Sequence, residues 1–433
     1  MKAFEKVIGY KAIKKELIMI SDVLANGEAY GKLGVRAPRG ILLYGDPGVG
    51  KTLMSNAIIE ASGRKAFVCR KDKPNGDFVK AIKKTFSEAK EAAPSIVFLD
   101  DMDKFANADD RHPDAEEYVT VQSCIDGVGN KDVFVLATAN NIRCLPRSLL
   151  RAGRFDRVIE ICNPHGEDAG KIVDHYIKQK KFVGDIDPVT AARIMDGHSC
   201  AALETVINEA GLYAGFERSD EITFDHFLKA CLHTIHNVPL EVLNEAKFNI
   251  DLSDPGNIMA RVVYHEAGHA TVAEVLDPGS VTLVSAYSRD GGSEGFVSYC
   301  RGDSDGSVET VKANICSSLG GMAALEQRFG LADSGTSRDL NYAFDLTRQL
   351  VSENCVCGFG LHSYFEDSQE LQAKQEKTAA AEIERYYRKT KEILAVNREL
   401  FEAIASALSE KGVLTEADIK RIKNNCKIVP LAV

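Results

Sequence analysis

The sequence predicts an α/β unit, a parallel sheet core with a small helical lid, followed by a mostly α-helical unit. Three observations carry that reading. The apolar run Gly40–Tyr44 enters a glycine-rich loop directly, as a buried parallel strand does before a phosphate loop. Two further apolar runs, Ser95–Leu99 and Val133–Ala139, have strand length and end in polar residues. Beyond residue 258 the apolar spacing becomes helical, and one such stretch contains His265-Glu266-Ala267-Gly268-His269.

Composition bounds the class. The chain has 433 residues, 45% hydrophobic and 27% charged, which suits a globular protein of several domains. A net charge of −10 argues against nucleic acid as the main partner. Eleven cysteines lie scattered from Cys69 to Cys426 without a repeating spacing. That fits buried apolar residues of a reducing compartment, and Cys355-Val356-Cys357 reads as structural. No apolar run has membrane-span length, and the first residues carry no signal-peptide core, so the expectation is a soluble, cytoplasmic chain without a membrane segment.

In chain order, residues 9–33 read as one amphipathic helix, with Ile13, Leu17, Ile20 and Leu24 on its apolar side. The first strand then feeds Gly45-Asp46-Pro47-Gly48-Val49-Gly50-Lys51-Thr52, and a helix opens near Leu53. This loop is the expected ATP site. Its glycines turn backbone N–H groups toward the phosphates, Lys51 reaches the β and γ oxygens, and the Thr52 hydroxyl faces Mg²⁺. Asp100, at the end of the second run, is the partner for Mg²⁺, and Asp101 stands beside it to polarise water. Asn140, after the third run, is placed to orient water or the γ-phosphate. Arg151 and Arg154 are expected to act as fingers on a neighbouring subunit's γ-phosphate.

Residues 163–235 read as the helical lid, with helices near 169–180, 191–195, 201–217 and 224–233, after the nucleotide-binding part at 1–162. Residues 236–257 read as a junction, 258–425 as the second main domain and 426–433 as a tail. In that domain, His265 and His269 lie four residues apart on one helix face, the spacing that closes two imidazoles on one Zn²⁺. Glu266 is next to the first of them, placed to take a proton from the attacking water. The third ligand is a carboxylate, with Glu326, Asp333 and Asp339 all candidates on chemical grounds. A strand pair at 281–285 and 295–299 turns at Asp290-Gly291-Gly292. Helices are expected over 308–330 and 371–408, and a last capped helix opens at Thr415.

The phosphate loop, the Asp100 strand, Asn140 and the arginine pair, in that order, resemble the AAA+ ATPases. Adding Phe4–Gly9, the His265–His269 motif, Gly320-Gly321-Met322-Ala323-Ala324 and Ser334–Leu340, nearly the whole chain resembles FtsH, the ATP-dependent zinc metalloprotease family. The resemblance implies an AAA+ module followed by a zinc metallopeptidase domain, with Asp339 as the third ligand. It further implies a homohexamer that unfolds and translocates protein substrates, unfolded or adaptor-delivered, into a proteolytic chamber. An AAA+ remodelling ATPase with a structural peptidase domain is the alternative; the complete set His265, Glu266, His269, Asp339 speaks against it. Three departures from the family pattern stand out: the segment between Phe67 and Phe86, with Pro74-Asn75-Gly76-Asp77-Phe78, is shortened, Asp101 replaces a Glu, and the sequence as given carries no membrane anchor. Cys200 and Ala202 also depart from the family's lid turn. Phe78 reads as core more than as a substrate grip.

Overall fold

The computed structural model describes residues 2–71, 77–106, 115–129, 131–245, 250–288, 295–300, 306–331, 337–352 and 369–433. Residues 74–76, the turn at 290–292, Asp333 to Thr336 and the Cys355–Cys357 pair lie outside the described residues. The chain divides into two compact units. One is Met1–Val183 with Asp187–Ala192 and Gly197–Asn208; the other is Glu209–Val433 with Gly184–Ile186 and Arg193–Asp196.

The first unit runs α1 (Lys11–Ala25), α2 (Gly27–Gly31), β1 (Gly40–Tyr44), α3 (Lys51–Ser62), β2 (Lys65–Cys69), α4 (Phe78–Glu91), β3 (Ser95–Leu99), α5 (Glu116–Asp126), β4 (Val133–Ala139), β5 (Arg157–Glu160) and α6 (Gly166–Lys178). Helices α7 (Pro188–Ile194) and α8 (Cys200–Phe216) follow, and each passes into the second unit, α7 after Ala192 and α8 after Asn208. Its five strands are all parallel, in the order β2-β3-β4-β1-β5. Strands β3 and β4 are buried along their full length, which is why they read as unbroken apolar runs. The loops that carry phosphate chemistry leave the carboxyl ends of β1, β3 and β4, side by side in the sheet. The single helix expected over 9–33 is two. Asn26 leaves helical geometry, and its side-chain amide donates to Asp22 Oδ1 at 2.8 Å, a local bond that competes with the helix. Phe78 packs edge-on against Phe105 at 4.8 Å between ring centres.

The second unit contains α9 (Phe224–Thr234), α10 (Leu240–Glu245), α11 (Ile258–Leu276), β6 (Val281–Ser285), β7 (Phe296–Tyr299), α12 (Val308–Ser318), α13 (Gly320–Phe329), α14 (Ser337–Ser352), α15 (Gln369–Val396), α16 (Arg398–Lys411), β8 (Val413–Thr415) and α17 (Glu416–Asn424). Helix α11 runs through its core, buried on nearly every side from Ala260 to Val275, as its apolar, small-residue sequence requires. The Asn257 side chain starts it, accepting from the N–H groups of Met259 (3.0 Å) and Ala260 (3.4 Å). Beside it lies an antiparallel sheet in the order β7-β6-β8.

Two long expected helices are each broken in two. The 308–330 helix breaks at Leu319, because Gly320 must press against α11. The 371–408 helix breaks at Asn397, which is fully buried. Its amide donates to Ile393 O and Val429 O, each at 3.1 Å, and its side-chain oxygen accepts from Val429 N–H at 2.8 Å. That clamp ties residues 426–433 to the core, where Ile428, Leu431 and Val433 pack. No helix among the described residues is long and apolar enough to cross a membrane.

Candidate metal centre and phosphate loop

In the first unit, the loop Gly45–Gly50 leaves β1 and enters α3. Gly45, Gly48 and Gly50 all take positive φ, and a Cβ on Gly45 would collide with the Ile161 carbonyl. No side chain caps the first turn of α3, so its N–H groups remain available to an anion. Lys51 is buried and donates to the carbonyls of Gly45 (2.9 Å) and Asp46 (2.8 Å). Burial lowers its pKa, opposed in part by Asp101, Asp103, Asp46 and Asp100. Thr52 and Leu53 are exposed at the mouth, next to exposed Asp46 and Pro47, while Val49 is fully buried beneath. The Asp46 carboxylate accepts from Asn163 at 3.1 Å.

The carboxylate of Asp100 is buried. Its Oδ1 accepts from Thr138 at 2.8 Å and Thr52 at 3.4 Å, so the ends of β3, β4 and the phosphate loop meet at one oxygen. Asp101 takes left-handed φ 55° and pairs with Lys104 at 2.7 Å. Asn140 is half-buried, its N–H donating to Asp103 Oδ1 at 2.9 Å. The two arginines differ. Arg154 grips Asp126 through two nitrogens (3.0 and 2.7 Å) and donates to Ser148 O at 2.6 Å. Arg151 is exposed, and no hydrogen bond or ion pair among the described residues holds its side chain.

In the second unit, His265 and His269 project from one face of α11, and Asp339 reaches them from the first turn of α14. His265 Nε2 and His269 Nε2 stand 2.9 Å apart, and Asp339 Oδ2 lies 3.2 Å from each. Among the described residues this is the one cluster of three metal-ligating side chains. The vertices of that triangle lie about 2 Å from a common point, the bond length Zn²⁺ takes with nitrogen and oxygen. The donor set therefore fits zinc. His269 Nδ1 donates to Ser317 O at 2.6 Å, which fixes the ring and turns its other nitrogen to the site.

Charges in the cluster are strongly coupled. Burial works against a charged His269, but the hydrogen bond and charge of Asp339, with the Glu266 charge and the Ser317 carbonyl, push its pKa up to about 9. Burial would raise the Asp339 pKa; hydrogen bonds from both histidines outweigh it and hold the carboxyl well below the usual range. Of the three candidate carboxylates, Glu326 is elsewhere, accepting from Lys391 at 3.1 Å and from Tyr387.

Glu266 is 4% exposed. Glycines give it and His265 their space. A Cβ on Gly321 would fall within 2.5 Å of His265 Nδ1 and Nε2, and one on Gly295 within 2.7 Å of Glu266 Cγ. Helices α11 and α13 meet through Gly268 and Gly320, where a Cβ on Gly268 would stand 2.5 Å from Gly320 O. Sequence reasoning gave Gly295, Gly321 and Ser317 no role at the site. The adjacent glycines 320 and 321, inside an expected helix, were the signal available.

Comparison with known proteins adds to the geometry. Residues 41–163 match the family described as ATPase family associated with various cellular activities (AAA). Residues 258–422 match Peptidase family M41. The chain is 30% identical to the ATP-dependent zinc metalloprotease FtsH 2 of Thermoanaerobacter sp. over 97% of its own length and 82% of the relative's. It is 29% identical to the ATP-dependent zinc metalloprotease FtsH of Mesoplasma florum, covering 98% of this chain and 68% of that one. Against the protein of the same description from Mycoplasma pneumoniae the identity is 29%, over 99% of this chain and 63% of the relative.

Proposed function

This chain belongs to the FtsH family of ATP-dependent zinc metalloproteases, and on that footing we propose that it cuts protein substrates at a zinc site, driven by ATP. The observation that carries the reading is the triangle His265, His269 and Asp339, with Glu266 buried on the same helix. Zinc held there supplies a Lewis acid that polarises the scissile carbonyl and acidifies the attacking water. The Glu266 carboxylate accepts the water's proton and returns it to the departing amide nitrogen. The Ser317 carbonyl keeps His269 in the ligating tautomer, and Asp339 balances the charge.

At the other end of the chain, ATP places its phosphates on the N–H groups of the loop and of α3. Lys51 exchanges two backbone carbonyls for phosphate oxygens, and Thr52 with Asp100 holds Mg²⁺. Arg151, unengaged among the described residues of its own subunit, is the better candidate to reach across to a neighbour's γ-phosphate; Arg154 positions the turn that presents it. An arginine acting in trans needs a neighbouring subunit, and the resemblance to the family implies that the neighbours form a homohexameric ring, with unfolded or adaptor-delivered proteins as substrates.

Casein degradation with and without ATP tests the reading in the wild type, Glu266→Gln and Lys51→Ala. The expected outcome is ATP-dependent cleavage that both substitutions abolish. Cleavage retained by Glu266→Gln would defeat the peptidase assignment, and cleavage retained by Lys51→Ala would defeat its dependence on ATP.

A further inference from the structure

Arg70 stands one residue beyond β2, at the carboxyl end of the parallel sheet. Its guanidinium lies 3.6 Å from Asp100 Oδ2 and 3.8 Å from Asp101 Oδ2. The other Asp100 oxygen is already taken by Thr138 and Thr52. Arg70 is therefore the cation that faces the outer side of both carboxylates. Its side chain is 57% exposed, and both separations exceed hydrogen-bond length, so it is held by charge more than by packing. Asp101 has a second, closer partner in Lys104 at 2.7 Å and stays paired if Arg70 leaves. Among the described residues Arg70 makes the one ion pair within 4 Å of Asp100, with Lys51 acting on that carboxylate by charge from farther away; Asp100 is the expected partner of Mg²⁺.

We propose that Arg70 is a further cation of the phosphate site. Without nucleotide it neutralises the Asp100–Asp101 pair; when Mg·ATP enters, it yields Asp100 to the metal and turns to the γ-phosphate. The proposal rests on the nucleotide reading. Charge explains the exchange. Mg²⁺ removes the attraction at Asp100, and the triphosphate brings several negative charges to the same edge of the sheet. During hydrolysis the water oxygen bonds to the γ-phosphorus and the bond to the bridging oxygen breaks. ADP leaves with that electron pair, and the water's proton ends on phosphate. Arg70 stabilises the charge spread over the γ oxygens in this step. This matters here because Asp101 is short and tied to Lys104, leaving it poorly disposed to polarise water.

The test uses the full chain as wild type, Arg70→Ala, Arg70→Lys and Lys51→Ala. Mn²⁺ bound with a non-hydrolysable ATP analogue is counted by electron paramagnetic resonance, and steady-state ATPase is measured separately. Removing the competitor at Asp100 should lower the Mn²⁺ concentration for half-saturation several-fold in Arg70→Ala. The same change should cut ATPase kcat roughly ten-fold or more, with Arg70→Lys in between on both counts. An unchanged half-saturation point, or an unchanged kcat, in Arg70→Ala overturns the proposal while the nucleotide reading stands. If the wild type binds no analogue and behaves as Lys51→Ala does, the nucleotide reading itself has failed and Arg70 falls with it.

Discussion

Glu266→Gln should keep zinc and lose cleavage, because the side chain moves a proton without belonging to the ligand triangle. A fall in casein turnover of roughly 10²–10⁴-fold at full zinc content is expected, read by metal analysis beside the protease assay. The imidazole of His269 makes a separate prediction. In the metal-free chain its pKa stands at about 9. Zinc must displace a proton below that pH, so apparent zinc affinity should rise with pH and level off near 9. The sign for stability runs the other way. A raised folded pKa stabilises the metal-free chain fully below the unfolded value, and this contribution is lost as pH rises through about 9. Competition with a chromophoric chelator at several pH values, alongside denaturation of the metal-free chain, checks both. At this scale much was legible: the i, i+4 histidines, Glu266 and the phosphate loop are local patterns. Asp339 was not singled out by spacing, because it lies 70 positions beyond His269 and any of several carboxylates satisfies the chemistry.

Helix α11 illustrates what packing adds to pattern. Its glycine is needed because α13 crosses so close that a Cβ on Gly268 would meet both Gly320 O and Ala324 Cβ at 2.5 Å. Gly268→Ala should cost about 1–3 kcal/mol through overpacking, measured by chemical denaturation of the zinc-free protein. Gly321→Ala should act on the metal instead, displacing His265 and releasing zinc while ATPase activity is kept. Strands β1, β3 and β4 were readable because burial on both faces makes them continuous apolar runs. The breaks at Leu319 and Asn397 were not. Apolar residues keep their helical spacing on both sides of each break, and the interruption coincides with contacts made by residues far along the chain, Gly268 with Gly320 and Val429 with Asn397. Short β8 was missed for the same reason: three residues carry little pattern, and pairing with β6 defines them.

At the scale of the whole molecule, one chain carries a nucleotide module and a metal cluster in separate units. The ring proposal separates the two arginines. Arg151→Ala should abolish ATPase activity while leaving the subunit's stability unchanged; Arg154→Ala should also lower stability, since Asp126 and Ser148 lose their partner. Thermal melts and ATPase rates of the two variants check this. The claim beneath all of it is a zinc ion held by His265, His269 and Asp339. X-ray absorption on the purified chain tests it most directly. Stoichiometric zinc with nitrogen and oxygen ligands at about 2.0–2.1 Å, lost in Asp339→Ala, is the predicted result. Sulfur ligands at about 2.3 Å, or zinc fully retained by Asp339→Ala, would contradict it.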